Sequence, residues 1–146
     1  LVMKFLAMRL MQIGLKVYLV GEVCTPSIRE GDLLLVGSGS GETAGMIAIC
    51  KKAKAAGAEV AVFTKNRNST IASIAKVAVQ LNTAKPIQEG AADPDGWIEG
   101  NYFSIRPSGN PFEQSIVIVG DAMVCELMQK TNCGTAKIAY NHANLE

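Results

Sequence analysis

Apolar and polar positions alternate along the chain in two rhythms, one of helices and one of short buried strands. Leu1–Ile13 sets Phe5, Met8, Leu10 and Ile13 on a wide apolar face, with Gly14 where a helix C-terminal cap belongs. This predicts a mostly buried helix. Lys16–Val20 (KVYLV) reads as a short strand, and Gly21–Gly31 as a connection containing Pro26. Asp32–Val36 (DLLLV) is a near-continuous apolar run, the pattern of a central parallel strand buried on both faces. Thr43–Ala56 predicts a helix with Met46, Ile47, Ile49, Cys50 and Ala53 inward, ending at Gly57. Glu59–Phe63 (EVAVF) is a second buried strand. Ser69–Ala75 is a short helix with Ser69 as its N-cap, and Val77–Leu81 is a further strand.

Strand–helix–strand alternation predicts an α/β fold with a parallel sheet. The pattern fails between Asn82 and Arg106, where Pro86, Gly90, Pro94, Gly96 and Gly100 interrupt it. A loop that long inside a domain is usually functional or disordered. Asn110–Lys130 then predicts a strong helix, with Phe112, Ile116, Val119, Met123 and Leu127 along one seam suited to packing, including across a subunit interface. Thr135–Glu146 is a candidate for one more short helix. The chain opens in mid-pattern without an initiator Met, which predicts a piece cut within a helix.

Composition narrows the function classes. Apolar residues make up 49% of the 146 and charged residues only 18%, which argues against disorder and predicts surface covered by a partner subunit. Net charge is +1 and aromatics are 5%, so neither an electrostatic footprint for nucleic acid or membrane nor a base-stacking platform is expected. No apolar run reaches the ~18–20 residues that span a bilayer. The four cysteines form no C-x-x-C and the chain has one histidine, so no metal site of zinc-binding spacing is expected. Cys50 and Cys125 lie in apolar helical runs, as expected of small buried residues in a reducing, cytoplasmic compartment.

Three segments carry candidate chemistry. Ser38, Gly39, Ser40, Gly41, Glu42 and Thr43 follow a buried strand and open a helix. Glycines permit tight turns and close approach of a ligand, the helix start offers unpaired N–H groups, and the hydroxyls add donors. Together they form a candidate phosphate cradle. No Lys follows the last Gly, so the loop is not a Walker A motif, and it lacks the G-x-G-x-x-G spacing for a dinucleotide. A phosphate monoester held without metal fits; an ordinary glycine turn with Ser40 as a plain N-cap is the alternative. Glu113, third in Asn110-Pro111-Phe112-Glu113 after the cap, suits a capping box with Asn110 or, alternatively, a general base at a cleft edge. His142, near the end of the chain, is either a solvated tail residue or a proton carrier or hydroxyl ligand delivered into a pocket, within easy reach of a neighbouring subunit.

Taken together, Ala7–Met11 running on to Val20-Gly21-Glu22 and Thr25-Pro26, the loop Gly37–Thr43, and Pro111-Phe112-Glu113-Gln114 with the tail His142–Glu146 resemble the 6-phospho-3-hexuloisomerase family of the sugar isomerase (SIS) domain superfamily. The glycine-serine loop alone indicates only an SIS domain; the Phe-Glu-Gln segment and the tail are more specific. The resemblance implies a single SIS domain over 1–146, a three-layer α-β-α sandwich with a flavodoxin-like sheet. It implies cofactor-free isomerisation of D-arabino-3-hexulose 6-phosphate to fructose 6-phosphate through a cis-enediol, within the ribulose monophosphate pathway of formaldehyde assimilation. Ser38–Thr43 would hold the phosphate, Glu113 would accept the proton, and His142 would assist from a neighbouring subunit in a dimer or tetramer.

The chain also departs from the family, which carries an earlier helix, a first strand and a G-x-G-R-S segment. In the order 2-1-3-4-5 that strand lies between the counterparts of Lys16–Val20 and Asp32–Val36. Its loss would strip both of backbone partners, at ~1–3 kcal/mol per buried unpaired group. The 146 residues alone are therefore expected to be unstable or inactive. Asn110-Pro111 stands where Ser-Leu is common, and Lys76 where Asp is common. Two other readings compete: an SIS isomerase acting on a pentose or heptose phosphate, and a non-catalytic sugar-phosphate sensor that needs the loop but not Glu113. A protein-binding role for the loop between Asn82 and Arg106 is a further option.

Overall fold

A computed structural model describes residues 1–83 and 111–145. In chain order its elements are α1 (Val2–Gln12), β1 (Leu33–Gly37), α2 (Ala44–Ala55), β2 (Glu59–Thr64), α3 (Thr70–Ile74), β3 (Val77–Gln80), α4 (Pro111–Lys130) and α5 (Thr135–Asn141). These fall into two units, a central one of Ile28–Ser115 and a terminal one of Leu1–Ser27 with Ile116–Glu146.

The central unit is the α/β body that the alternation predicts. Its three strands lie parallel in the order β1-β2-β3, with Leu33 opposite Glu59 and Ala61 opposite Val77. Parallel neighbours need crossover connections, and α2 and α3 supply them. Leu34, Val36, Cys50, Ala53, Ala58, Val60, Val62 and Ile71 form the core, with α2 and α3 packed on the sheet and on each other. Each large aliphatic side chain in it contributes about 1.5–3 kcal/mol by leaving water. Gly57, at φ 85°, ends α2 as the sequence indicates, because glycine takes the left-handed conformation without a Cβ penalty.

β1 departs from its expected burial. The apolar run suits cover on both faces, yet only Leu34 and Val36 are buried and Leu33 is 61% exposed. Among the described residues β1 pairs with β2 alone, so it is an edge strand, and β2 is the central one.

In the terminal unit, α1 packs against α5, and Asn141 Nδ2 donates to the Gln12 carbonyl at 2.9 Å. Gly14, at φ 94°, terminates α1 as expected. α1 is less buried than its apolar face suggests: Leu6 and Gln12 are buried, but Met8 and Met11 are exposed. Lys16–Val20 is not a strand. Among the described residues it has no ladder partner, and Tyr18 and Val20 are exposed. Strand propensity alone does not hold a strand in water; cross-strand pairs do. On α4, Phe112, Ile116 and Val124 are buried, whereas Cys125 is exposed, contrary to the expectation for it. The segment 84–106 and Asn110, including the Asn110 cap expected for α4, lie outside the described residues.

Candidate functional site

Ligands of open α/β sheets bind beyond the carboxyl ends of the strands. Two segments meet there, the loop after β1 and the turn after β2. The Ser38 N–H donates to the Phe63 carbonyl at 3.0 Å, and the Lys65 N–H to the Gly39 carbonyl at 3.0 Å. Thr64 Oγ1 donates to the same Gly39 carbonyl at 3.3 Å, and the Ile71 N–H to the Gly41 carbonyl at 3.1 Å. Within the loop, Ser38 Oγ accepts from the Gly41 N–H at 3.1 Å and Ser40 Oγ from the Glu42 N–H at 3.2 Å. The loop is therefore seated on the end of β2 and the β2–α3 turn by main-chain bonds and the Thr64 hydroxyl, while its own serines brace it internally.

The glycines follow from this seating. Gly41 has φ 70°, and a Cβ on it would lie 2.1 Å from Ser69 Oγ, so only glycine fits between the loop and the α3 cap. At Gly39 a Cβ would lie 3.1 Å from Lys65 Cε and 3.6 Å from the Phe112 ring. The loop thus passes between the start of the β2–α3 turn and the first turn of α4.

Ser40 is not the N-cap of α2. Thr43 is, and no side chain caps the helix there. The first intrahelical bond runs from the Ile47 N–H to the Thr43 carbonyl. The first-turn amides consequently keep their donors for an acceptor outside the helix, at its positive end. This is the arrangement that holds an anion.

Glu42 has a different task from the one its place in the loop suggests. Its Oε1 accepts from the Thr70 N–H at 2.6 Å and its Oε2 from Thr70 Oγ1 at 2.7 Å, while Ser69 Oγ accepts from the Ala72 N–H at 3.3 Å. Glu42 and Ser69 together cap α3. The hydroxyl of Thr70, then its backbone N–H, hold the Glu42 carboxyl below the usual glutamate range. A depressed carboxyl contributes stability that is fully present above the unfolded-state value, near 4.3, and is lost as pH falls through the lower folded-state value. Glu42→Gln is therefore expected to be less stable than the parent at neutral pH, with the difference shrinking below about pH 4 as the parent loses this tie. Melting temperatures of both proteins across pH 2–7 measure it; a difference that is the same at every pH would contradict the assignment.

Glu113 sits exposed in the first turn of α4, beside the buried Phe112. Phe112 packs beside Gly39, so the central unit brings the loop and the Phe112–Glu113 turn together. His142 belongs to the terminal unit. It is exposed at the C-terminal cap of α5, with Nδ1 3.1 Å from the Ala143 carbonyl. The sequence pattern assigns no role to Lys65, whose stem the fold lays beside Gly39. Its only local signal is its place directly after a strand, and what it lies over is visible only once β1 and β2 are in register.

A sequence profile described as "SIS domain" matches residues 2–93. The chain is 37% identical over 146 residues to the 3-hexulose-6-phosphate isomerase of Bacillus subtilis (strain 168), covering all of this chain and 74% of that protein. It is 38% identical to the enzyme of the same name from Mycobacterium gastri, covering all of this chain and 68% of that one. Among solved structures, a Methanococcus jannaschii protein whose crystal structure is said to infer a molecular function of 3-hexulose-6-phosphate isomerase superposes with a TM-score of 0.79 at 29% identity. That match covers 99% of this chain and 72% of the other.

Proposed function

Since the chain belongs to the SIS-domain family and groups within it with the 3-hexulose-6-phosphate isomerases, we propose that it interconverts D-arabino-3-hexulose 6-phosphate and fructose 6-phosphate. The observation that carries this reading is the packing of Phe112 beside Gly39, because it brings the turn that carries Glu113 up to the glycine-serine loop on one body.

The phosphate would lie against Ser38, Ser40, Thr43 and the first-turn amides of α2, with Gly39 and Gly41 allowing close approach. Glu42 serves this cradle from behind by fastening it to α3. Anchoring the phosphate at C6 fixes the far end of the sugar and turns proton removal into a positioned, first-order event. The Glu113 carboxylate takes the proton from C2, leaving a cis-enediol with the former C3 ketone. It then returns the proton to C3, so that the carbonyl moves to C2. The electron pair released at C2 forms the C2–C3 double bond while the C3 carbonyl's π pair moves onto its oxygen. The proton given up by the C2 hydroxyl ends on that oxygen, and as the C2 carbonyl forms the double-bond pair makes the new C3–H bond, so nothing outside the sugar is oxidised or reduced. His142 would supply a hydroxyl contact from a second subunit of a dimer or tetramer. Its exposure at the end of α5, together with the exposed Met8, Met11, Ile118 and Tyr140 of the terminal unit, supports that part of the reading. A cytoplasmic location goes with it, supported by four free cysteines. No described helix is long and apolar enough to cross a membrane.

The direct test is incubation of the full-length protein with 3-hexulose 6-phosphate, with fructose 6-phosphate detected by a coupled assay. Formation of fructose 6-phosphate is expected. A protein that binds sugar phosphate and converts none of it would instead be a sensor.

A further inference from the structure

We infer that Lys65 is a substrate-binding residue, its ammonium group paired with the phosphate of the sugar; the inference rests on reading the Ser38–Thr43 loop as the phosphate site. Lys65 directly follows β2 at the carboxyl edge of the sheet, one residue beyond Thr64. Its main chain is fixed on both sides. The N–H donates to the Gly39 carbonyl at 3.0 Å, and the carbonyl accepts from Gln80 Nε2 at 3.1 Å. The side chain then runs over the loop: Cε would be 3.1 Å from a Cβ on Gly39, tighter than ordinary van der Waals contact. Glycine at position 39 is what leaves room for that aliphatic stem.

The ammonium is not spent on another charge. Lys4, Lys54, Lys76 and Lys130 each face a carboxylate within 4 Å, whereas Lys65, like Lys16, Lys51, Lys52 and Lys137, has no ion-pair partner among the described residues; of these five, Lys65 is the one whose stem lies over Gly39. It is held against the cradle all the same. The cradle, for its part, lacks a cation. From Gly37 to Thr43 it contains no basic residue, and its one charged side chain, Glu42, is negative and engaged by Thr70. A phosphate monoester brings a charge of about −1.5 to −2 at neutral pH. Amides and hydroxyls supply partial charges only, and a compact ammonium on a flexible stem is a suitable point charge for the remainder.

Lys65 is exposed and its side chain makes no hydrogen bond to the described residues, so its replacement is expected to leave the fold intact, checked by an unchanged melting temperature. Binding of fructose 6-phosphate and of inorganic phosphate is measured by titration calorimetry for the parent, Lys65→Met, Lys65→Arg and Ser40→Ala, together with KM and kcat in the isomerase assay. For Lys65→Met a loss of about ten- to a hundredfold in affinity is expected, the size of a charge-assisted hydrogen bond. KM rises correspondingly while kcat falls much less. Lys65→Arg stays within about threefold of the parent, and added salt weakens the parent more than Lys65→Met, since only the parent has the charge to screen. Parent-like binding by Lys65→Met while Ser40→Ala binds weakly overturns the role of Lys65 and leaves the proposed function standing. Equal losses in Lys65→Met and Lys65→Arg overturn it too, since they would mark packing and not charge. A parent that neither binds fructose 6-phosphate nor converts the hexulose phosphate overturns the proposed function, and this inference with it.

Discussion

Glu113→Gln is expected to lower kcat by about 10²–10⁴-fold, the range associated with removing a positioned general base. The amide has nearly the shape of the carboxylate but does not take up a proton under these conditions. The residue is exposed, so no buried group is orphaned by the change. Its contribution to the helix start, a negative charge in the first turn of α4, is worth only about 0.3–1 kcal/mol at an exposed site. Loss of fold is therefore not the cause of the loss of rate. The phosphate cradle lies on a different loop, so affinity for fructose 6-phosphate should stay within a few-fold of the parent while turnover falls. That split between binding and turnover separates catalysis from positioning. A variant that keeps kcat within threefold would remove Glu113 from the mechanism and return it to the helix-capping role.

The second large effect is expected at Gly41. Gly41→Ala places a Cβ 2.1 Å from Ser69 Oγ, 2.5 Å from Ser69 Cβ and 3.3 Å from Thr64 Oγ1, at a φ of +70°. Ser69 is 1% exposed and Thr64 is fully buried, so neither side chain has open space to retreat into. A non-glycine residue in the left-handed region costs on the order of 1–3 kcal/mol, and overpacking adds a similar amount. We expect a loss of about 2–4 kcal/mol in urea unfolding, with sugar-phosphate binding lost even where the fold survives. Gly45→Ala is the control. A Cβ there meets nothing within 4 Å, and in a helix alanine is favoured over glycine by about 0.8–1 kcal/mol. If both variants lost stability equally, the crowding at Gly41 would not be the cause.

The central unit was largely legible because its signals are local. DLLLV, EVAVF and VAVQL are short apolar runs bounded by breakers, and β1, β2 and β3 lie within a residue of them. Ser69 has the residue type and position of an N-cap, and it is one. What the sequence hid is long-range. KVYLV has the composition of a strand but no partner among the described residues, and no local pattern reveals a missing ladder. Glu42 sits in the middle of a candidate phosphate loop, and nothing nearby in the chain announces that its carboxylate reaches Thr70, 28 residues on. The nearness of Lys65 to Gly39 likewise emerges only when the ends of two strands are set side by side. Reading apolar runs as fully buried also overstated the cover on β1 and on Cys125, since hydropathy reports a preference for burial and not the presence of a neighbour.

The bonds that seat the loop on the β2–α3 turn mean that the proposed cradle is not a portable cassette. A chimera that grafted residues 37–43 onto a related sheet would import the letters of the motif without the surface that shapes them. Substitutions at Thr64, Ser69 or Thr70 would reach the cradle without altering any residue in it. A substitution in either stretch therefore alters the surface on which the other rests.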